Sequence, residues 1–160
     1  AVMLQGILSN EAAVTRSKDF EEVLALSMCN GIELKAVEVG SWQRAKGNDI
    51  VSNWLSSGMK IDIVFANNDE MGLGAVQAFK NAGISMDDVL IGSVDATADA
   101  LASMKAGELD VTVFQNAAGQ ATGGIDAAIA AINGESLPNS VTIPFELVTP
   151  SNMAEYMGAN

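Results

Sequence analysis

The sequence predicts an α/β fold in which an open, mainly parallel sheet is flanked by helices on both faces. Apolar runs of strand length alternate with helical patterns along nearly the whole chain, and this alternation is typical of βαβ units. The change is sharpest in residues 61–83, where a continuous apolar run gives way to a helical period within four positions. We expect a single domain, because 160 residues suffice for one core.

Composition and charge limit the classes of function. Apolar residues make up 49% of the chain and charged residues 18%, a balance typical of globular proteins. The net charge of −12 predicts no nucleic-acid partner, because phosphates would be repelled. No apolar run reaches the length of a membrane span, so we expect no membrane insertion. With one cysteine and no histidine, we expect no metal ion, no cofactor and no internal disulfide.

The first elements are a strand at residues 2–4 and a helix at residues 11–30. The helix has an apolar side and ends before Gly31, a residue that tolerates the left-handed conformation. Residues 32–39 alternate in part between apolar and charged side chains, which predicts the second strand.

A second helix runs through residues 50–55, and the third strand spans residues 61–66. Asn68 and Asp69 then stand where a helix N-cap belongs. The helix that follows has an apolar face and ends at Gly83.

The fourth strand is predicted at residues 89–94, where apolar residues predominate. A turn at residues 95–97 leads into a short helix that ends near Gly107. The fifth strand is predicted at residues 111–114.

The last helix, at residues 117–133, differs in composition from the others. Its only charged residue is Asp126, and its three glycines weaken it as an isolated helix. A helix with so little charge needs burial on more than one side, so we expect it to contact a partner surface. A last strand is predicted at residues 141–147.

Polar side chains stand at the ends of three predicted strands, namely Asn68, Asp95 and Gln115. Ligands of open parallel sheets bind outside the carboxyl ends of the strands. A carboxylate and two amides at that edge can accept from and donate to neighbouring hydroxyls. Trp42 follows the second strand, where its ring could stack on a sugar or pack against the next helix. Arg16, about two turns into the first helix, could bind hydroxyls or remain solvated. The pattern favours a site for a small polyhydroxylated ligand.

Nucleotide binding is a weaker interpretation. Gly72 and Gly74 match only the first two glycines of a dinucleotide fingerprint, and they lie inside a helix. The turn that would hold the phosphates carries Asp69 and Glu70, which would repel a pyrophosphate. Helix packing therefore explains these glycines better.

Catalysis is also weakly supported. Without histidine there is no Ser-His or Cys-His pair, and we expect no catalytic residue. Four carboxylates fall near strand ends, and helix caps and first-turn charges explain most of them: Asp69, Glu70, Asp95 and Asp99. An α/β enzyme that uses Asp69 and Asp95 is the remaining alternative of this class, and no other feature favours it.

Several stretches of the chain resemble a known family. They are FANNDEMGLGA at residues 65–75, IGSVDA at 91–96, KAGEL at 105–109, LQGI at 4–7 and WQRAKG at 42–47. The chain closely resembles the type I periplasmic sugar-binding proteins, with the ribose- and galactose/glucose-binding proteins as the nearest comparison. The pattern N-D-x-M-x-x-G-A is specific to this superfamily, which also includes the effector domains of LacI-type repressors.

The resemblance implies a flavodoxin-like or Rossmann-like lobe, one of two similar lobes that are joined by three crossovers and hold sugar between them. It implies that residues 1–160 are the C-terminal lobe alone. It also implies that residues 116–140, including the helix at 117–133, would pack on the missing N-terminal lobe or, without it, on another chain.

The same resemblance implies roles for five residues. Arg16 matches the arginine that grips sugar hydroxyls, and Trp42 matches the aromatic residue that stacks on the ring. Asn68, Asp95 and Gln115 match the amide and carboxylate positions that contact the ligand.

The implied function is the solute-binding component of a bacterial sugar ABC importer. Its partners would be a monosaccharide or polyol ligand and the membrane permease. Its location would be the periplasm, or a lipid-anchored extracellular position in a Gram-positive source. The alternative is an effector-binding domain of a LacI-type transcriptional regulator.

The chain departs from the family pattern near two of these positions. Asp95 follows Ser93-Val94, without the aromatic neighbour of the ribose-binding pattern. Asn10 and Ala12 stand where galactose/glucose binders have a histidine and an aspartate. The ligand therefore stays open among pentoses, hexoses and cyclic polyols such as inositol.

Overall fold

A computed structural model describes residues 1–158 of the chain. Strands and helices alternate along it, as the sequence predicts. The elements are β1 (Val2–Gln5), α1 (Glu11–Leu24), β2 (Ala36–Val39), α2 (Arg44–Ser56), β3 (Ile63–Ala66), α3 (Asp69–Asn81), β4 (Leu90–Gly92), α4 (Ala98–Lys105), β5 (Thr112–Gln115), α5 (Ala117–Ile132) and β6 (Phe145–Val148).

Four parallel strands form the centre of the fold in the order β2-β1-β3-β4. Two isolated parallel bridges, Gly92 to Val111 and Asp95 to Phe114, connect β4 and the residues after it to β5 and the residue before it. β5 then pairs with β6 in antiparallel fashion. The predicted open, mainly parallel sheet is confirmed.

The main core lies between one face of this sheet and helices α2, α3 and α4. Strand residues that point to this face alternate along β1 and β3, and all of them are buried: Val2, Leu4, Val64 and Ala66. Phe79 of α3 and Leu101 of α4 pack into the same cluster. This face is closed by side chains of the chain itself.

The opposite face is covered in part by α1, with Ala13 and Ser17 as its buried residues. Phe20 of α1 stacks on Phe65 of β3 with 4.5 Å between the ring centroids. By contrast, α5 has no buried residue. Among the described residues, no helix is both long enough and apolar enough to cross a bilayer.

The helix predicted at residues 11–30 is wrong in its length. α1 ends at Leu24, and only a 3₁₀ turn, Ser27–Cys29, follows it. Leu26 and Met28 are exposed in this region. Because most helical stability in proteins comes from a packed face, the apolar residues after Leu24 do not prolong the helix.

The strands predicted at residues 32–39 and 141–147 begin too early, since both are shorter in the structure. β2 pairs with β1 from Ala36, which faces Val2 at the start of β1. β6 begins at Phe145, opposite Gln115 at the end of β5. In both cases the apolar pattern extends beyond the partner strand, and the ladder ends where the partner does.

The packing interpretation of the helical glycines is confirmed. A Cβ at Gly74 would lie 2.2 Å from the carbonyl oxygen of Arg44, on α2. A Cβ at Gly72 would lie 3.1 Å from that of Ser93. These glycines let α3 approach α2 and the end of β4 closely.

Candidate ligand-binding site

The five residues predicted from the sequence lie together at the carboxyl edge of the sheet. Arg16 links three of them. Its Nη2 donates to Gln115 Oε1 over 2.7 Å, and its Nη1 lies 3.8 Å from Asp95 Oδ1. Its guanidinium carbon is 5.8 Å from the centre of the Trp42 ring. Asn68 joins the group through its Nδ2, which donates to the Trp42 carbonyl over 3.4 Å.

The Arg16 side chain is only 16% exposed, and protein groups accept its hydrogen bonds. Besides Gln115, it donates through Nη1 to the carbonyl oxygen of Asn67 over 2.7 Å. Burial lowers the pKa of the guanidinium, while the negative charges of Asp95 and Asp69 oppose that effect. The sequence analysis allowed Arg16 to be a solvated surface residue, and its burial in the structure excludes that interpretation.

Trp42 lies in an irregular turn between β2 and α2. Ser41 and Trp42 both have positive φ angles, 53° and 67°. The indole ring lies directly on Gly6, where a Cβ would come within 2.1 Å of the ring. Trp42 also packs against the edge of the main core. The two interpretations of this residue are therefore compatible, because the ring is braced by the core and lies beside Arg16.

Asn68 is the N-cap of α3, as predicted. Its Oδ1 accepts from the Met71 amide over 3.1 Å, which satisfies one of the unpaired donors of the first turn. Its amide nitrogen is the group that holds the turn of Trp42. The Asn68 side chain thus caps α3 and also binds the turn that carries Trp42.

Asp95 follows β4 in a tight turn, with a φ angle of 133°. Burial, together with the negative charge of Asp69, raises the pKa of its carboxyl to about 6, although Arg16 acts in the opposite direction. Gln115 ends β5, and its Nε2 donates to Gln120 of α5 over 3.4 Å. The guanidinium of Arg16, the carboxylate of Asp95 and the amide of Gln115 thus lie close together at the carboxyl edge of the sheet.

The sequence reasoning missed two contributors. Asn67 is fully buried, and its Oδ1 accepts from the Gly6 amide and from the Ser17 hydroxyl. Its carbonyl holds Arg16, so it sets the position of that side chain. Its position directly after an apolar strand was the available signal in the sequence.

Phe145, the first residue of β6, was missed as well. Its ring centre lies 5.9 Å from the guanidinium carbon of Arg16, a distance within the range of cation–π contacts. The pattern of residues 141–147 indicated a strand, and nothing local indicated that its aromatic residue approaches α1. This contact depends on the antiparallel pairing of β6 with β5.

The other carboxylates near the strand ends are engaged elsewhere. Both oxygens of Asp69 accept hydrogen bonds inside the protein. Glu70 and Asp99 pair with Arg44 across α2, α3 and α4. Asn10, at the departure from the galactose/glucose pattern, caps α1. Within residues 1–158 no group of three or more His, Cys, Asp or Glu side chains could hold a metal ion.

Comparison with known proteins gives a consistent result. The model of the periplasmic binding protein domain family matches residues 1–136. A putative rhizopine-binding protein of Rhizobium meliloti is 55% identical over 160 residues, which are all of this chain and 52% of that protein. The ribose import binding protein of Salmonella typhimurium is 31% identical over 147 residues, 92% of this chain and 48% of that protein.

Solved structures agree with these relatives. A solute-binding protein of an ABC transporter from Bacillus halodurans, solved with bound myo-inositol, superimposes with a TM-score of 0.92 at 40% identity. The match covers 99% of this chain and 54% of the other. The chain therefore spans about half the length of the proteins that it matches.

Proposed function

The chain belongs to the periplasmic binding protein domain family, and we propose that it is the C-terminal lobe of the solute-binding component of a bacterial sugar ABC importer. The observation that carries this proposal is the cluster at the carboxyl edge of the sheet. Its guanidinium, carboxylate and amides, with an indole ring beside them, suit a polyhydroxylated ring. Ring hydroxyls would accept from Arg16 and donate to Asp95, while the C–H face of the ring would stack on Trp42.

We propose a monosaccharide or a cyclic polyol as the ligand. Relatives that are named for rhizopine and for ribose, and a relative solved with myo-inositol, support this class. They also favour the importer over the LacI-type regulator, because the two relatives that are named by role serve an ABC transporter or ribose import. The cluster contains no nucleophile paired with a base, so we propose binding without chemical conversion.

The capture mechanism would be hinge closure. A ligand that bridges this lobe and a second lobe stabilises the closed form, because its contacts to both lobes exist only there. The membrane permease of the importer would then bind the closed form. We propose a periplasmic location, or a lipid-anchored extracellular one in a Gram-positive source.

We also propose that residues 116–140 pack on the N-terminal lobe. Three isoleucines of α5 are spaced like one face of a helix and are exposed by more than half: Ile125, Ile129 and Ile132. The matched relatives are about twice as long as this chain, which leaves room for a second lobe. An apolar helix face of this kind is typical of a surface that another body covers.

Titration of the full-length protein with pentoses, hexoses and inositols by calorimetry tests the binding function. We expect one class of compound to bind. We expect Trp42→Ala and Asp95→Ala each to weaken that binding by at least about thirty-fold, which corresponds to the ~2 kcal/mol of a binding hot spot. Asp62→Ala is the matched control, because its carboxylate is exposed and pairs with Lys60 in a loop. Unchanged affinity in both site variants would refute the assignment.

A further inference from the structure

The turn that carries Asp95 is strained. Asp95 and Ala96 are consecutive non-glycine residues with positive φ angles, 133° and 58°. Residues other than glycine rarely adopt this backbone conformation, and it persists only where surrounding contacts enforce it. The contacts that enforce it here therefore also determine where the Asp95 carboxyl points.

Those contacts converge on one buried carboxylate. Asp69 is fully buried, and its Oδ1 accepts from the hydroxyls of Ser93 and Thr112 over 2.5 and 2.7 Å. Its Oδ2 accepts from the Thr97 amide and hydroxyl over 2.7 and 3.1 Å. The donors stand on both sides of the strained turn, since Ser93 precedes Asp95 and Thr97 follows Ala96.

Thr112 connects this network to the turn a second time. Its hydroxyl oxygen accepts a hydrogen bond from the Ala96 amide over 3.2 Å, and its O–H donates a hydrogen bond to Asp69. The backbone amide of Asp69 donates to the Val94 carbonyl over 2.8 Å. Capping of α3 does not account for this arrangement, because Asn68 is already the N-cap. A buried carboxylate without hydrogen bonds would be unfavourable here. The hydrogen bonds that Asp69 accepts come from residues on both sides of the Asp95–Ala96 turn and therefore hold that turn in place.

We propose that Asp69 is a positioning residue of the ligand site, whose carboxylate holds the strained Asp95–Ala96 turn and thereby aims the Asp95 carboxyl at Arg16 and the ligand. This inference rests on the proposed function, because it takes Asp95 to be a ligand contact. It assigns to the aspartate of the N-D-x-M pattern a role that neither helix capping nor ligand contact covers.

The charge of Asp69 affects the pKa of Asp95, and loss of a purely structural contact would not change that pKa in the same way. The charged groups that act on Asp95 are Arg16 on α1, which lowers its pKa, and Asp69 and Glu70 on α3, which raise it. If ligand hydroxyls donate to ionised Asp95, affinity increases with pH, reaches its midpoint near the Asp95 pKa of about 6 and is constant well above that value. Removing the charge of Asp69 lowers the pKa of Asp95, so this midpoint moves to lower pH.

Two variants separate position from charge. Asp69→Asn removes the charge and replaces one of the two acceptor oxygens by an NH2 group, so it weakens the network as well. Thr112→Val keeps the charge and removes only the hydroxyl that joins Asp69 to Ala96. Val51→Ala is the control for lost stability, because Val51 is a buried core residue of α2. Binding of myo-inositol by the full-length protein is measured for each variant by calorimetry at several pH values. The Asp95 carboxyl is titrated by NMR without ligand.

We expect both network variants to bind at least about tenfold more weakly than wild type at pH 8, a loss of the size that one hydrogen bond to a charged group supplies. Val51→Ala should retain wild-type affinity. The midpoint of the pH profile and the pKa of Asp95 should fall in Asp69→Asn alone. Wild-type affinity and an unchanged Asp95 pKa in Asp69→Asn would overturn the inference.

The outcome also distinguishes this inference from the proposed function. If wild-type protein binds neither myo-inositol nor any sugar, the proposed function fails. The ligand-free measurements still decide on Asp69. In ligand-free protein, hydrogen exchange of the Ala96 and Thr97 amides is measured by NMR for each variant. Faster exchange in both network variants than in Val51→Ala supports the positioning role of Asp69, and equal exchange overturns it.

Discussion

The two sides of the sheet are built by different means. On the side of α2, α3 and α4, Gly47 and Gly74 bring helix backbones together, and residues such as Phe79 are buried to 1% exposure. On the other side, α1 covers only part of the sheet, and Val37, Leu90 and Leu147 remain exposed. α5 buries no residue at all. The same chain thus has a side with a core of its own and a side with an uncovered apolar surface.

This difference shows which parts of the lobe are self-sufficient. Helices α2 and α3 approach each other closely at Gly47 and Gly74, so both surfaces of this contact belong to the chain itself. By contrast, α5 exposes three isoleucines, and within residues 1–158 no side chain of this helix is buried. The candidate site lies where the sides meet, with Arg16 from α1 and Asn68 and Asp95 beside α3 and α4.

The largest expected contrast comes from truncating one apolar residue on each side. Phe79→Ala removes a side chain from the closed core and should cost about 3–5 kcal/mol of unfolding free energy. Ile129→Ala, at 53% exposure in α5, should change it by less than about 0.5 kcal/mol. Urea unfolding followed by circular dichroism measures both values in the 160-residue chain.

The same pair tests whether α5 packs on a second lobe. In the full-length protein, Ile129→Ala should then cost about 2 kcal/mol or more, as expected for a buried isoleucine. An effect of Ile129→Ala that is equally small in both forms would contradict the packing of α5 on that lobe.

A smaller contrast is expected from adding a methyl group on each side. Gly74→Ala places a Cβ 2.2 Å from a backbone oxygen of α2, and the forced separation of α2 and α3 should cost about 1–3 kcal/mol. Gly124→Ala places its Cβ in open space and should stabilise α5 by up to about 1 kcal/mol, since alanine is the better helix former. Thermal unfolding of the two variants measures the difference. A loss in Gly124→Ala would indicate a close contact of α5 that the structure does not contain.

The smallest effect is expected from the ion pairs on the packed side. Arg44 joins Glu70 and Asp99 across three helices, but these side chains remain between 42% and 67% exposed. Arg44→Gln should therefore cost only about 0.2–1 kcal/mol, and about 1 M salt should reduce that cost further. Phe79→Ala is the control, because its cost should not depend on salt in this way. A loss as large as that of Phe79→Ala would mean that these ion pairs stabilise this side as much as apolar packing does.

Much of the fold was predictable because its signals are local. The strand-to-helix change after Ala66, the N-cap at Asn68 and the end of α3 before Gly83 all depend on neighbouring residues, and the structure confirms them. The ends of β2 and β6 were not predictable in this way. They are set by Val2 on β1 and Gln115 on β5, which are distant in sequence.

The sequence by itself determined the order of strands and helices and the polar residues at the strand ends, because period, caps and parallel connection are local rules. It also determined that residues 117–133 lack a charged face. Only the tertiary structure decided that Arg16 is held by Asn67 and Gln115, that Phe145 approaches it, and that Asp69 faces inward to brace the turn of Asp95. These contacts join residues that are distant in sequence, and only the folded sheet brings them within hydrogen-bond or ring-contact distance.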